Sequence, residues 1–233
     1  MGEIKHETTV LKKKMTEGDL YVMIGEKKTD FFRSALRRPR RDDVHFESYL
    51  LNYECTTTVS GRYTADYSRD TKHAVSVDRN VDKIAIGGET FPVRTKSKLR
   101  KQIAGRLGKN RVDLPVREHV FVENKGAIHL DPGGKETDFP FRINSKTVES
   151  YPDTILKEND SAVISSDMTD ADLALRLTEK LKPKLEDGIR DLHEETIVEK
   201  ITRVYAPIYE IVLFGPKKKT ATMRIDASRG VLL

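Results

Sequence analysis

Between residues 94 and 111 the chain carries eight bases and no acid: Arg94, Lys96, Lys98, Arg100, Lys101, Arg106, Lys109 and Arg111. Leu99, Ile103 and Leu107 recur four apart within this run, which predicts a helix with one apolar face, a cationic remainder and a stop at Gly108. Such a surface attracts a phosphate backbone, with an affinity that falls steeply as salt rises. Arg37, Arg38, Arg40 and Arg41 surround Pro39 and extend the same chemistry, because a guanidinium can meet a phosphate through two parallel hydrogen bonds. Tyr63 and Tyr67, if exposed on a sheet, would offer platforms on which bases stack. The competing explanation is a solvated helix face whose cations complement the helix dipole.

Other chemistry is weakly signalled. Leu130-Asp131-Pro132-Gly133-Gly134-Lys135 has the flavour of a phosphate loop. It lacks the first glycine, however, and Glu136 stands where a magnesium-binding Ser or Thr belongs, so a hairpin turn is expected. The six histidines, His6, His45, His73, His119, His129 and His193, form no metal-ligand spacing. His119 and His129 would face each other if residues 119–130 fold as a hairpin, still two ligands short of a zinc site. His193-Glu194-Glu195 supplies a base beside carboxylates but no nucleophile. Asp167, Asp170 and Asp172 suit a helix start, and Asp66, Asp70, Asp78 and Asp82 suit surface strands and turns. No catalytic, metal or cofactor residue is therefore assigned.

These side chains sit in a chain of 233 residues with a net charge of +5, long enough to bury a core without staples. Residues 1–115 hold 24 Lys and Arg against 16 Asp and Glu, whereas residues 116–233 hold 18 against 21. A basic half joined to a mildly acidic half points to an anionic partner or to head-to-tail contact between copies. No apolar run approaches about 18 residues, and the first residues lack the apolar stretch of a secretory signal. Cys55 is the only cysteine, expected in the core of a strand. Together these features suit a cytoplasmic protein with no membrane span.

The elements expected to position the cations follow from periodicity. The first 19 residues read as a loose arm or, at Glu7 to Leu11, an edge strand, and Leu20 to Ile24 as a short strand. Thr29 would cap a helix over Asp30 to Arg38, ended by Pro39. Alternation from Phe46 to Val93 predicts β structure, with a bulge or bend at Gly61 and a Gly87-Gly88 hairpin. A hairpin through Asn124-Lys125-Gly126, a strand over Asp138 to Ile143 and a short helix near Ser150 to Glu158, interrupted by Pro152, come next. Thr169 and Asp172 form a capping box for a helix to about Glu186, kinked or split at Pro183. Thr196 to Phe214 and Thr220 to Asp226 pair around Gly215-Pro216, and Gly230 to Leu233 adds an edge.

The expected class is α+β, with two antiparallel-sheet units, each with a packing helix: a basic N-terminal unit, 1–111, and a C-terminal unit, 112–233. Val75-Ser76-Val77-Asp78 and Met223-Arg224-Ile225-Asp226 each end a strand in an apolar residue and Asp before a tight turn. That shared plan is open to an internal duplication or to chance. Ile225, Asp226, Ala227 and, displaced by one residue, Gly230 resemble the closing pattern of a PepSY unit over about thirty residues. The resemblance implies a protein-binding or inhibitory module. The whole chain also resembles an archaeal cytoplasmic family with the same order of parts, which implies a lineage and no activity.

The expectation is a non-catalytic binding protein whose basic N-terminal half engages nucleic acid or another polyanion. The alternative is a scaffold or assembly subunit that binds protein alone through exposed strand edges at Thr220 to Asp226 and at Leu11. An enzyme of unrecognised type would need a deep pocket gathering His193 or His119 with carboxylates.

Overall fold

The computed structural model describes residues 3–33, 39–93, 110–186 and 188–233. The chain mixes helices with a dominant, mostly antiparallel sheet. It divides into two compact units that interleave along the sequence. The first holds Met1–Arg62, Lys125–Leu181 and Thr196–Leu233; the second holds Tyr63–Asn124 and Lys182–Glu195. Strands β2 (His45–Val77), β5 (Asn110–Leu130) and β7 (Ile189–Phe214) supply residues to both. Residues 111 and 112, where the sequence suggested a division, both lie in β5.

Strand β1 (Lys5–Val10) runs parallel to β7, from Lys5 opposite Lys200 to Val10 opposite Tyr205. β3 (Lys83–Ile86) and β4 (Glu89–Pro92) form the hairpin expected at Gly87-Gly88, where φ is 58° and 87°. β6 (Val163–Ile164) lies parallel to β2 at Tyr53 and Glu54. β8 (Thr220–Asp226) pairs antiparallel with β7, and β9 (Val231–Leu232) with the end of β8. The sheet order is β5-β2-β7-β8-β9, with β1 on β7 and β6 on β2. The described α-helices are α1 (Glu17–Lys27), α2 (Pro152–Glu158) and α3 (Asp170–Leu181).

In β2 every second residue from Tyr53 to Tyr67 is buried, the pattern a half-buried pleated strand demands. Cys55 is one of these core residues. Gly61 keeps the alternation rather than forming a bulge. A Cβ there would lie 2.1 Å from the Ile197 carbonyl oxygen, so the side chain is excluded by close approach to β7. In the first unit Leu20 and Ile24 of α1 pack on Tyr209, Ile211 and Leu213 of β7 and on Met223 and Ile225 of β8. Leu173, Leu177 and Leu181, four apart, bury one face of α3.

Several expectations are corrected. Leu20 to Ile24 is helical because Thr16 and Asp19 form a reciprocal capping box: the Asp19 N–H donates to Thr16 Oγ1 at 3.2 Å, and the Thr16 N–H donates to Asp19 Oδ2 at 3.0 Å. The helix expected from Asp30 is a short 3₁₀ turn over Lys28–Phe32, which Arg33 leaves in extended backbone; residues 34–38 lie outside the described residues. Asn124 to Gly126 is no turn, since β5 passes straight through with its alternating burial intact. Contacts to β2 hold that register: Thr58 reaches His129 and Arg69 reaches Glu118. Residues 138–143 make no strand. Pro152 begins α2 at its first turn, where a missing N–H costs nothing. α3 ends at Leu181, short of Glu186, and does not continue past Pro183, because the residue before a proline disfavours helical backbone.

Candidate anion-binding site

Of the cations singled out in the sequence, Arg94, Lys96, Lys98, Arg100, Lys101, Arg106 and Lys109 lie outside the described residues, as do Arg37 and Arg38. Arg111 is exposed at the start of β5. Arg40 and Arg41 are exposed in the first unit, where the Arg40 N–H donates to Asp43 Oδ2 at 3.1 Å. Tyr63 and Tyr67 are buried at 0% and 7% exposure, so neither is a stacking platform. They occupy the inward positions of β2, which an alternating strand gives to its bulky residues. His119 and His129 do not face each other, because the turn that would fold them together is absent.

The first unit instead contains a cavity of about 530 Å³. Three connections build it. The link from β1 to α1 is fixed by Lys12 N–H donating to the Thr147 carbonyl at 2.9 Å, and by Lys14 and Met15 N–H donating to the Ala227 carbonyl at 2.9 and 3.0 Å. The turn at 144–147 is an Asx turn, with Lys146 N–H donating to Asn144 Oδ1 at 2.9 Å. Thr147 Oγ1 completes it, accepting from Asn144 N–H at 3.0 Å and donating to the Arg142 carbonyl at 2.6 Å. The third connection joins β8 to β9, with Gly230 at φ 69° as the left-handed residue.

Asp226 organises that last turn. Its fully buried carboxylate accepts from Ser228 N–H at 2.8 Å, Ser228 Oγ at 2.6 Å, Arg229 N–H at 3.2 Å and Arg229 Nε at 2.5 Å. One edge of the guanidinium is thereby anchored at the cavity. Its carbon lies 5.4 Å from the centre of the Phe141 ring, a cation–π contact. Phe139 meets Phe141 edge to face at 5.3 Å, and His129 stacks on Phe139 at 4.8 Å. Burial pulls the His129 pKa below its ordinary value, against the opposing pull of Glu136, so a neutral ring closes this aromatic row.

Four cations line the cavity, Lys14, Arg142, Lys146 and Arg229, and no carboxylate does. Among the described residues, Lys14, Arg142 and Lys146 make no ion pair and are exposed. A cleft lined by one sign of charge over low-dielectric walls focuses its field on a counter-ion. The lining can thus bind and orient an anion, while Phe141 and Pro140 provide an apolar wall. It offers no nucleophile activated by a base. Sequence spacing does not reveal this set, because Lys14 and Arg229 are far apart along the chain. The one local signal is the Ile225-Asp226-Ala227 closing pattern, whose Asp is the hub of the turn.

The second unit holds a different polar group. Tyr63 donates from its hydroxyl to Glu194 at 2.5 Å, and Lys182 Nζ lies 2.7 Å from the same carboxylate. Nearby in sequence, Glu118 takes Arg69 Nε at 2.7 Å and His73 Nε2 at 2.5 Å, while Arg69 also reaches Glu186. These cross-strand ion pairs satisfy one another and leave no gathered reactive pair. No group of three or more His, Cys, Asp or Glu residues able to hold a metal is found among the described residues. No described helix is long and apolar enough to cross a membrane. Comparison with known proteins gives no match to a family model, to a curated protein or to a solved structure.

Proposed function

We propose that this is a non-catalytic binding protein that engages nucleic acid through its phosphates. One observation carries the proposal: the 530 Å³ cavity lined by four cations, of which only Arg229 is paired with a carboxylate, the buried Asp226. Lys14 belongs to the basic N-terminal half of the chain, and Arg142, Lys146 and Arg229 add cations from the other half. Arg94, Lys96, Lys98, Arg100, Lys101, Arg106, Lys109 and Arg111, with Arg37, Arg38, Arg40 and Arg41, would contribute further cations to binding. Binding of this kind is electrostatic and carries little base readout. A cytoplasmic location accords with it. An internal duplication also belongs to the proposal; it rests on the shared plan of Val75-Ser76-Val77-Asp78 and Met223-Arg224-Ile225-Asp226, each an apolar residue and Asp before a turn.

The test is fluorescence anisotropy of a labelled single-stranded oligonucleotide across a salt series. The wild-type protein is expected to bind at low salt and release steeply. Replacing Lys14, Arg142 and Lys146 together by Ala should flatten the log–log salt slope by about 2, at roughly 0.7 per phosphate contact. Neutralising the bases of 94–111 measures the share of that segment. Absence of binding at low salt overturns the proposal.

A second function is favoured by one edge. β9 pairs only with Ile225 and Asp226, and Leu233 N–H reaches the Arg224 carbonyl, so no described strand pairs Thr220 to Met223 on that side. That edge can accept a strand from another chain. The edge at Leu11 is not open: Leu11 bridges Val148 and is 3% exposed. A mass by light scattering that rises with concentration and ignores added nucleic acid would favour assembly.

A further inference from the structure

The cavity is more particular than a basic surface, and it rests on the anion-binding role just proposed. A strand tracked along its backbone meets cations in a row, one charge per diester. Here the cations instead ring a single recess. Lys14 comes from the β1–α1 link, Arg142 and Lys146 flank the Asx turn, and Arg229 projects from the β8–β9 turn. Three unpaired cations around one recess, beside an Arg229 that Asp226 already balances, exceed what a diester neutralises. They suit a terminal phosphate monoester, which carries about two charges near neutral pH and has three oxygens free to accept hydrogen bonds.

Arg229 is pre-set for that task. Asp226 occupies its Nε, leaving the terminal guanidinium nitrogens, which make no other hydrogen bond among the described residues. A held guanidinium gives up less side-chain freedom on meeting a phosphate than a free one. Beside it Phe141, over whose ring Arg229 lies, and Pro140 form an apolar wall against which a nucleobase packs. The volume falls within the range of roughly 300–1,000 Å³ common for small-molecule sites.

We infer that the cavity receives the phosphate monoester of a nucleotide, with the phosphate among Lys14, Arg142, Lys146 and Arg229 and the base against Phe141. The monoester has two sources, a free nucleotide or the 5′-phosphorylated end of a strand, and the experiment separates them.

Binding is measured for two oligonucleotides of one sequence, one with a 5′-phosphate and one with a 5′-hydroxyl, with a nucleoside 5′-monophosphate and inorganic phosphate as competitors. The expected result is at least tenfold tighter binding of the phosphorylated strand and displacement by the mononucleotide well before inorganic phosphate. Arg142→Ala with Lys146→Ala should abolish the tenfold gap. Phe141→Leu should remove the mononucleotide's advantage over inorganic phosphate. Both exposed cations lack ion pairs, so their removal should leave the thermal unfolding midpoint unchanged. Equal affinity for the two strands overturns the inference while strand binding itself stands. Binding of the mononucleotide without either strand supports the cavity as a free-nucleotide site and ends the nucleic-acid proposal. No binding of any of the four ends both.

Discussion

Asp226 and Arg229, three residues apart in one turn, form an ion pair whose carboxylate is buried while the guanidinium stays partly exposed. The carboxylate also accepts three hydrogen bonds from the Ser228 and Arg229 groups around it. Removing it leaves those donors short of a partner and the cation loose. Asp226→Ala is therefore expected to cost about 1–3 kcal/mol, the scale for leaving buried hydrogen-bonding groups without their partner. Asp226→Asn should cost less, because an amide oxygen still accepts from Ser228. Denaturant midpoints at constant slope check both. A double-mutant cycle with Arg229→Ala should be clearly non-additive, since the two side chains touch.

Tyr63 gives the molecule an alkaline limit. Burial first, and then its hydrogen bond to Glu194, push the phenol up to about 12. Burial, followed by the neighbouring Cys55, takes Tyr205 to about 12 as well. In the unfolded chain both phenols ionise near 10. Between those values the unfolded state has lost protons that the native state keeps, so stability falls as pH rises. The contribution is fully present below about pH 10 and is gone above about pH 12. Ultraviolet titration should show Tyr63 and Tyr205 ionising late, with Tyr49 and Tyr53 also raised above the ordinary phenol value. The unfolding midpoint of Tyr63→Phe should decline less steeply than wild type across that window; an equal decline would remove Tyr63 from the account.

Two glycines should respond to alanine with opposite signs. At Gly61 the new Cβ would sit 2.1 Å from the Ile197 carbonyl oxygen and 3.0 Å from Leu177 Cδ2. Backbone must move to admit it, so Gly61→Ala is expected to destabilise by at least about 1–3 kcal/mol. Gly25 lies inside α1 with nothing within 4 Å of the added carbon. Gly25→Ala should stabilise by about 0.5–1 kcal/mol, because alanine loses less backbone freedom in a helix. Chemical unfolding of the two variants side by side tests the pair.

How much of this was visible in the sequence depended on the range of the interaction concerned. The burial of Tyr53, Cys55, Thr57 and Val59, the Gly87-Gly88 hairpin, the Thr169–Asp172 box and the pairing of 208–214 with 220–226 all follow from neighbours. Asn124-Lys125-Gly126 misled because its local turn chemistry is overruled by the long β2 partner alongside. Leu20 to Ile24 misled because Tyr21, Val22 and Ile24 favour strands, while the deciding signal, Thr16 with Asp19, stands just ahead of them. Phe139 and Phe141 alternate like a strand yet pack on His129 and Arg229. The cavity was least legible, since Lys14, Arg142, Lys146 and Arg229 are brought together by long-range contacts, among them the hydrogen bonds of Ala227 and Thr147 to the β1–α1 link.

The second unit has its own acid limit, set by Glu118. Hydrogen bonds from Arg69 and then from His73 hold its carboxyl below the usual carboxylate value, against the upward push of burial. A lowered native pKa means that the unfolded state takes up protons first as pH falls, so stability rises with pH through this range. The contribution is present above the ordinary glutamate value near 4.5 and is lost as pH falls through the depressed one. Arg69 and His73 lie four apart on β2, and Glu118 on β5 meets both, so one carboxylate ties two positions of the neighbouring strand. Glu118→Gln keeps the shape and removes the charge. It should lower the unfolding midpoint at pH 7 and flatten its decline under acid, so that wild type and variant converge at low pH. Parallel curves would show that the charge of Glu118 contributes nothing to the fold. Asp70, held low by Arg117 and Arg190, supplies a second carboxylate of the same sign in this unit, so the variant should keep part of the acid decline.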